Sequence, residues 1–161
     1  MMSKQTRSGA AAPVDLESLP GHYIRRLQQI AVAIFLHETE AYGVTPVQYG
    51  ALQTVCNTPG IDQRTLARSI GLDTSTIAGV VDRLEARALL VRNTTPDDRR
   101  VRLLSLTDEG HALLKALAPA MHRAQARMLE PLPPREREQF MRMLRQLVAA
   151  NNAESRAPSD A

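Results

Sequence analysis

Apolar positions recur every three or four residues along most of the chain, as on one face of an amphipathic helix. This period predicts a long helix over residues 19–42 that ends at Gly43, and a last helix over residues 134–152. Another long helix is predicted to begin after Thr107 and to extend to Glu130. The pattern therefore favours a mainly α-helical chain.

Three helix starts in the middle of the chain carry the same capping signature. In VTPVQY, Thr45 is a good N-cap and Gln48 completes a capping box. Asp62 and Asp73 cap the next two helices, and apolar residues on both sides of each cap predict hydrophobic staples. Gly71 separates these two starts, which are eleven residues apart. The segment therefore predicts a helix-turn-helix.

The period changes after the second of these helices. The segments LLVRNTT and VRLLSLT are short and rich in branched residues, and the charged segment PDDRR lies between them. They predict the two strands of a β-hairpin with a charged tip, which we call the wing.

Together these elements predict a mainly α fold with a small β-hairpin wing. A winged helix-turn-helix lobe is expected over residues 45–106, with dimerisation helices over residues 15–44 and 107–152. The small polar ends, residues 1–14 and 153–161, are predicted to be disordered. Because the end helices have apolar faces and no further core to cover them, a second copy is expected to bury them in a homodimer.

Composition narrows the class of protein further. The single cysteine among 161 residues excludes an internal disulfide framework. No apolar run is long enough to cross a membrane, and the first residues lack the apolar centre of a secretion signal. We therefore expect a cytoplasmic protein.

The positive charge is concentrated in the predicted lobe. Eight arginines and five acidic residues lie between Gln63 and Arg102, so this segment holds the whole net charge of +3. On charge alone, a solvated basic face and a nucleic-acid surface remain equally open.

The polar face of the helix predicted from Thr74 distinguishes these alternatives. It is small and polar, carries arginines, and includes Gly79, although a glycine within a helix costs about 0.5–1 kcal/mol relative to alanine. Such a face suits the major groove of double-stranded DNA, where short hydroxyls and arginine reach base edges or phosphates. The wing tip adds arginines suited to the minor groove. The predicted DNA-binding residues are Arg64, Thr74, Ser75, Thr76, Gly79, Arg83, Arg87, Asp98, Arg99 and Arg100.

The segment from Ser75 to Gly110 resembles the winged helix-turn-helix of the MarR family of bacterial transcriptional regulators. The resemblance lies in VDRLE at residues 81–85, DRR at residues 98–100 and LTDEG at residues 106–110. It implies a homodimer on a pseudo-palindromic operator, with the arginine of residue 100 in the minor groove and the aspartate of residue 98 orienting it. The chain departs from the family at Ala88, where glycine is common, and only a slightly altered turn is expected.

The family resemblance also implies a small effector, and the start of the first helix resembles that of members that control aromatic-acid catabolism. His22 and Arg26 are four residues apart beside apolar surface, which suits a ring that bears a carboxylate. A benzoate- or nicotinate-like acid is therefore the expected ligand. Tyr23, Tyr49 and His111 complete the predicted ligand-binding residues.

Two alternatives to this ligand-responsive repressor remain open. Cys56 could make the protein a thiol-redox-responsive regulator, although it is expected to be a small buried residue. The fold could instead be a winged-helix module that binds protein. An enzyme is not expected, since the four histidines lack metal-site spacing and no nucleophile motif or glycine-rich phosphate loop occurs. No metal or cofactor is predicted apart from the effector.

Overall fold

Helices dominate the computed structural model, which describes residues 13–94, 102–155 and 157–158. In chain order the elements are α1 (Pro20–Glu38), α2 (Pro46–Asn57), β1 (Ile61–Asp62), α3 (Gln63–Ser69), α4 (Thr74–Ala86), β2 (Leu90–Thr94), β3 (Arg102–Leu106), α5 (Asp108–Leu129) and α6 (Pro134–Ala150). Short 3-10 turns cover Leu16–Ser18, Glu40–Tyr42 and Asn152–Glu154. The mainly α fold with a small β-hairpin is confirmed.

The first and last helices are shorter than the sequence predicts. The α-helix ends at Glu38, and the hydroxyl of its C-cap residue Thr39 donates to the Phe35 carbonyl at 2.8 Å. A 3-10 turn continues to Tyr42, and Gly43 then reverses the chain at φ 59°. The last helix ends at Ala150 rather than at residue 152.

The ends of the chain lie largely outside the described residues. Residues 1–12, 156 and 159–161 are among those that the structure does not describe, so the predicted disorder of residues 1–14 and 153–161 stays a prediction. Within the described part of these ends, Asn152–Glu154 forms a 3-10 turn.

The predicted caps are present at all three helix starts. Thr45 Oγ1 accepts from the Gln48 backbone at 3.2 Å, and Gln48 Oε1 accepts from the Thr45 backbone at 3.1 Å. The Asp62 side chain accepts from the backbone of Thr65, and Asp73 caps α4 in the same way. The apolar residues of the last two predicted staples belong to one core cluster: Ile61, Leu66, Leu72 and Ile77.

The sheet has three antiparallel strands in the order β1-β3-β2. The predicted hairpin is confirmed, with Leu90 opposite Leu106 and Thr94 opposite Arg102. The hairpin tip, residues 95–101, lies outside the described residues. The two-residue strand β1 pairs with β3 and was not predicted, since two residues show no period.

The main core lies inside the predicted lobe. Its fully buried side chains come from α2, α3, α4 and the hairpin: Leu52, Leu66, Ile77, Leu84, Leu90 and Leu104. A second cluster around Phe35, Val44 and Leu117 joins α1 to α5. The inner face of α4 is therefore held by the core, and its opposite face is left to the solvent.

The start of α5 is packed closely against the chain that leaves α4. A Cβ added to Gly110 would lie 2.1 Å from the Leu89 carbonyl oxygen, so only glycine fits there. Thr107 caps α5 at the Gly110 backbone, and its hydroxyl donates to the Ala88 carbonyl at 2.6 Å. Ala88 itself has φ 55°, in the region that favours glycine. This conformation explains why glycine suits the position.

Candidate nucleic-acid interface and effector site

The exposed face of α4 carries most of the predicted DNA-binding residues. Ile77, Val80, Val81 and Leu84 are buried in the core, whereas Thr74, Ser75, Thr76 and Arg83 are exposed and Gly79 is half-buried. The helix therefore presents a convex surface of short polar side chains and one arginine, a shape that enters a DNA major groove.

Asp73 organises the first turn of α4. Its carboxylate accepts from the backbone nitrogens of Ser75 and Thr76 at 3.0 and 2.8 Å. It also accepts from both hydroxyls, at 2.6 Å from Ser75 and 2.7 Å from Thr76. The hydrogen bonds from these hydroxyls and backbone groups hold the pKa of Asp73 well below its ordinary value.

The hydroxyls of Ser75 and Thr76 are thus oriented in advance. Each gives its proton to Asp73 and keeps its oxygen lone pairs as acceptors. Such acceptors match the amino groups of cytosine and adenine in the major groove. The sequence places the hydroxyls on this face, but only the structure reveals that they act as acceptors.

A cleft of about 660 Å³ lies beside α4 and is bordered by α3 and β3. Arg64 and Thr74, both predicted to bind DNA, line it. Arg68 and Arg102 also line it and were not singled out from the sequence. Arg68 follows Arg64 by four residues on a helix, a spacing that could have revealed it. At the cleft wall, Thr65 donates its hydroxyl to the Asp62 carboxylate, and this hydrogen bond lowers the pKa of Asp62.

Arg87 is exposed as well, but its guanidinium is engaged by other parts of the chain. Its guanidinium donates to the Gly43 carbonyl at 2.7 Å and to the Tyr42 carbonyl at 3.0 Å. Tyr42 in turn donates its hydroxyl to the Ala116 carbonyl of α5 at 2.9 Å. Arg87 therefore ties the end of α4 to the turn between α1 and α2, and its assignment as a DNA contact stays a prediction.

The three predicted contacts at the wing tip are Asp98, Arg99 and Arg100. They lie outside the described residues, and their role stays a prediction.

The predicted ligand-binding residues fall into two groups. His22, Tyr23 and Arg26 lie together on the first turns of α1, and the His22 and Tyr23 rings meet edge to face with centroids 5.6 Å apart. Tyr23 is 52% exposed, which leaves an aromatic ring and a cation open to a ligand or a second chain.

Tyr49 and His111 form the second group, on α2 and α5. The Tyr49 ring packs at 6.1 Å from the Phe35 ring, and its hydroxyl donates to Gln53. His111 is exposed, and its Nδ1 lies 3.9 Å from Cys56 Sγ. Cys56 is therefore half-buried at the edge of the main core, more accessible than the sequence predicts.

The described part of the chain offers neither a metal site nor a membrane span. No group of three His, Cys, Asp or Glu side chains in residues 13–94, 102–155 and 157–158 could hold a metal ion. None of the helices in those ranges is long and apolar enough to cross a membrane.

Comparison with known proteins identifies the class that this fold and this face define. The family model described as MarR family matches residues 42–101. A putative transcriptional regulatory protein for the hcr operon of Thauera aromatica is 37% identical over 128 residues, 79% of this chain and 77% of that protein. The HTH-type transcriptional repressor NicR of Pseudomonas putida is 30% identical over 151 residues, 91% of this chain and 96% of NicR.

Solved structures show the same fold. The PcaV transcriptional regulator from Streptomyces coelicolor, in complex with its natural ligand, is 38% identical with TM-score 0.78 over 87% of this chain and 99% of PcaV. BpsR of Bordetella bronchiseptica, whose DNA binding is regulated by 6-hydroxynicotinic acid, is 29% identical with TM-score 0.79 over 84% of this chain and 97% of BpsR. The repressor CouR, bound to a 23-mer DNA duplex, is 30% identical with TM-score 0.79 over 85% of this chain and 99% of CouR.

The chain belongs to the MarR family of transcriptional regulators. It is a winged helix-turn-helix protein of a class that regulates transcription and does not catalyse a reaction.

Proposed function

We propose that the protein is a homodimeric repressor that binds a pseudo-palindromic operator in double-stranded DNA and releases it when a small aromatic carboxylate binds. The observation that carries this proposal is the exposed face of α4, where oriented hydroxyls, Gly79 and Arg83 stand beside an arginine-lined cleft. That CouR is a repressor bound to a DNA duplex supports it. Such an assembly acts in the cytoplasm.

In the proposed complex, α4 enters the major groove and α3 approaches the phosphate backbone. Thr74, Ser75, Thr76 and Arg83 face the bases, while Gly79 lets the DNA come close to the helix backbone. Arg64 faces phosphate, and residues 98–100 at the wing tip reach the minor groove. Arg87 is proposed to lie at the edge of this interface, with its guanidinium bonded to the Tyr42 and Gly43 carbonyls.

A second copy of the chain is proposed to cover α1 and α6. None of the 17 residues of α6 is buried in the single chain. Leu147 and Val148 are 54% and 65% exposed, and Ile24 on α1 is 59% exposed. Apolar side chains left open on a terminal helix favour burial against a symmetric partner.

The proposed effector is a benzoate- or nicotinate-like acid bound near the start of α1. Arg26 supplies a cation for the carboxylate, and the His22 and Tyr23 rings supply polar and aromatic surface. Tyr49 and His111 are proposed to contribute from α2 and α5. The regulation of BpsR by 6-hydroxynicotinic acid supports this ligand class.

Fluorescence anisotropy tests the proposal with labelled duplex from upstream of the protein's own gene and a random duplex of equal length. We expect tight, salt-dependent binding to the first duplex, relieved by one acid of a benzoate and nicotinate series. Equal binding to both duplexes in every condition would contradict the proposed operator recognition. Release by peroxide, and by no acid, would favour a thiol mechanism at Cys56 instead.

The ligand site has its own test in Arg26→Ala. This variant should bind the operator as the wild type does, but should need at least about tenfold more acid for release, since it cannot form the charge-assisted hydrogen bond to the carboxylate. Arg25→Ala is the matched control, because the Arg25 guanidinium is directed to Gln29 at 3.1 Å. Normal release of the Arg26→Ala complex would contradict the assignment of Arg26.

A further inference from the structure

Arg92 on strand β2 has a guanidinium bonded to two other elements, although it is a charged residue of a surface hairpin. Its side chain is 12% exposed. One terminal nitrogen lies 2.5 Å from Asp82 Oδ1, and the other donates to Glu85. The Arg92 backbone nitrogen also donates to Glu85, at 3.3 Å, so both the main chain and the side chain of this residue are held.

The partners of Arg92 are placed around the proposed DNA surface. Asp82 and Glu85 lie on α4, on either side of Arg83 in sequence. Gln63, at the start of α3, accepts a weaker contact from the guanidinium at 3.5 Å. One arginine therefore connects the wing hairpin to the two helices of the helix-turn-helix.

The burial of this guanidinium is better explained by the position that it gives to α4 and the hairpin than by a gain in stability. Its Nε is buried without a hydrogen-bond partner among the residues that the structure describes. Asp82 and Glu85 are 66% and 39% exposed, so these ion pairs offset the desolvation of the guanidinium only in part and are weak contributors to stability. The two carboxylates join α4 to the hairpin through Arg92.

The ion pairs also neutralise part of the negative charge of Asp82 and Glu85 next to the proposed interface. Asp82 remains 66% exposed, so without Arg92 it would present a carboxylate to the DNA phosphates. With Arg92 in place, its charge is directed toward β2.

We propose that Arg92 is a positioning residue for DNA binding, which sets the wing hairpin at a fixed angle to α4 through Asp82 and Glu85. Arg92 itself does not contact DNA. It allows Arg83 in the major groove and the hairpin in the neighbouring groove to engage at the same time. This proposal rests on the proposed DNA-binding function.

Salt-dependent binding separates positioning from direct contact. Arg92→Met keeps the length of the side chain and should weaken binding to the upstream duplex at least about tenfold, and this loss should persist at high salt, where repulsion from the freed Asp82 carboxylate is screened. Arg64→Met is the matched control, because the slope becomes shallower by roughly 0.9 for each phosphate that the protein no longer neutralises. A loss of affinity that disappears at high salt in Arg92→Met, as the loss of a phosphate contact in Arg64→Met should, would overturn the proposal, as would unchanged affinity.

Asp82→Asn decides the question if Arg92→Met does not fold, as judged by circular dichroism. An acid that is only a surface charge repels DNA, so its neutralisation should strengthen binding. An acid that holds Arg92 in position should instead weaken binding several-fold when neutralised. Glu138→Gln on α6 is the control for removal of one negative charge, and it should leave affinity within about twofold.

The wild-type protein keeps the two proposals distinguishable. Wild-type preference for the upstream duplex, together with stronger binding by Asp82→Asn, overturns the role of Arg92 alone. Wild-type binding without preference for any duplex overturns both proposals.

Discussion

Gly79 lies in the middle of the exposed side of α4, and nothing in the packing of the chain requires its small size. A Cβ at this position would lie 3.5 Å from Arg83 Nη1, an ordinary van der Waals distance. The helix would also be more stable with alanine. The glycine is therefore best explained by an approaching partner, which in the proposed complex is DNA.

Gly79→Ala should separate stability from binding. We expect the free energy of unfolding to rise by about 0.5–1 kcal/mol, because alanine favours a helix, while operator affinity falls. Chemical denaturation and fluorescence anisotropy measure the two effects. Gly50→Ala is the matched control, since Gly50 is also inside a helix and a Cβ added there would meet nothing within 4 Å. Equal DNA affinity in both variants would contradict the role of Gly79.

Ala88 is strained in a way that glycine would relieve. At φ 55°, a residue with a Cβ is less favourable than glycine by roughly 1–2 kcal/mol. Ala88→Gly should therefore stabilise the protein by about 1 kcal/mol and leave DNA binding unchanged. Ala78→Gly, in the interior of α4, should have the opposite effect on stability. Thermal or urea unfolding that shows both variants destabilised would contradict this explanation.

At the scale of the element, the start of α4 depends on the ionised Asp73 carboxylate. Hydrogen bonds from Ser75 and Thr76 lower the pKa of this carboxyl below its ordinary value of 3.8. A group whose pKa is lower in the folded state stabilises the fold above its unfolded pKa, and this stabilisation is lost as the pH falls through the folded pKa. The cap is therefore at full strength near neutral pH and weakens under acid.

Asp73→Asn tests this pH dependence. Asparagine can still cap a helix, but it does not titrate. The variant should be less stable than the wild type at pH 7, and the difference should shrink as the pH falls below about 3.8. Thermal unfolding at a series of pH values measures this. Parallel curves for the two proteins would show that Asp73 does not supply the acid sensitivity.

The sequence predicts the helix starts well because their interactions are local. Thr45 and Gln48 are three residues apart, so their reciprocal hydrogen bonds can be read from the chain. The contacts of Arg87 with Gly43 and Tyr42 span more than forty residues, and no local pattern announces them. The same limit hides the pairing of β1 with β3 and the partners of Arg92. Site residues on one helix face are thus predictable, whereas residues that join elements require the structure.

At the scale of the whole molecule, the single chain leaves the apolar side chains of α6 uncovered. None of its side chains is buried, although Met143, Leu147 and Val148 are apolar. The proposed dimer would cover them and would also bring two copies of α4 to successive half-sites, as operator binding by helix-turn-helix dimers requires.

Leu147→Glu should dissociate the proposed dimer, because it places a charge in the surface that the second chain covers. Operator affinity should fall by about 100-fold or more when the two lobes no longer bind together. Analytical ultracentrifugation and anisotropy measure the two effects. Arg145→Glu places the same residue two positions earlier on α6 and should leave the dimer intact. A Leu147→Glu protein that stays dimeric would contradict the assigned interface.

The contact of Gly110 with the Leu89 backbone has a mechanical consequence. With no side chain between them, the first turn of α5 and the chain leading into β2 have no compliant layer that could absorb a shift. Helix α5 has 22 residues and is about 33 Å long, with Pro119 inside it, and its first turn is fixed to the lobe. A shift of this first turn is therefore expected to move the lobe with it. In the proposed repressor, a ligand that changes the distance between the two α4 helices of the dimer would move them out of register with successive half-sites. Because the half-sites are spaced by the turn of the DNA helix, operator binding would then weaken.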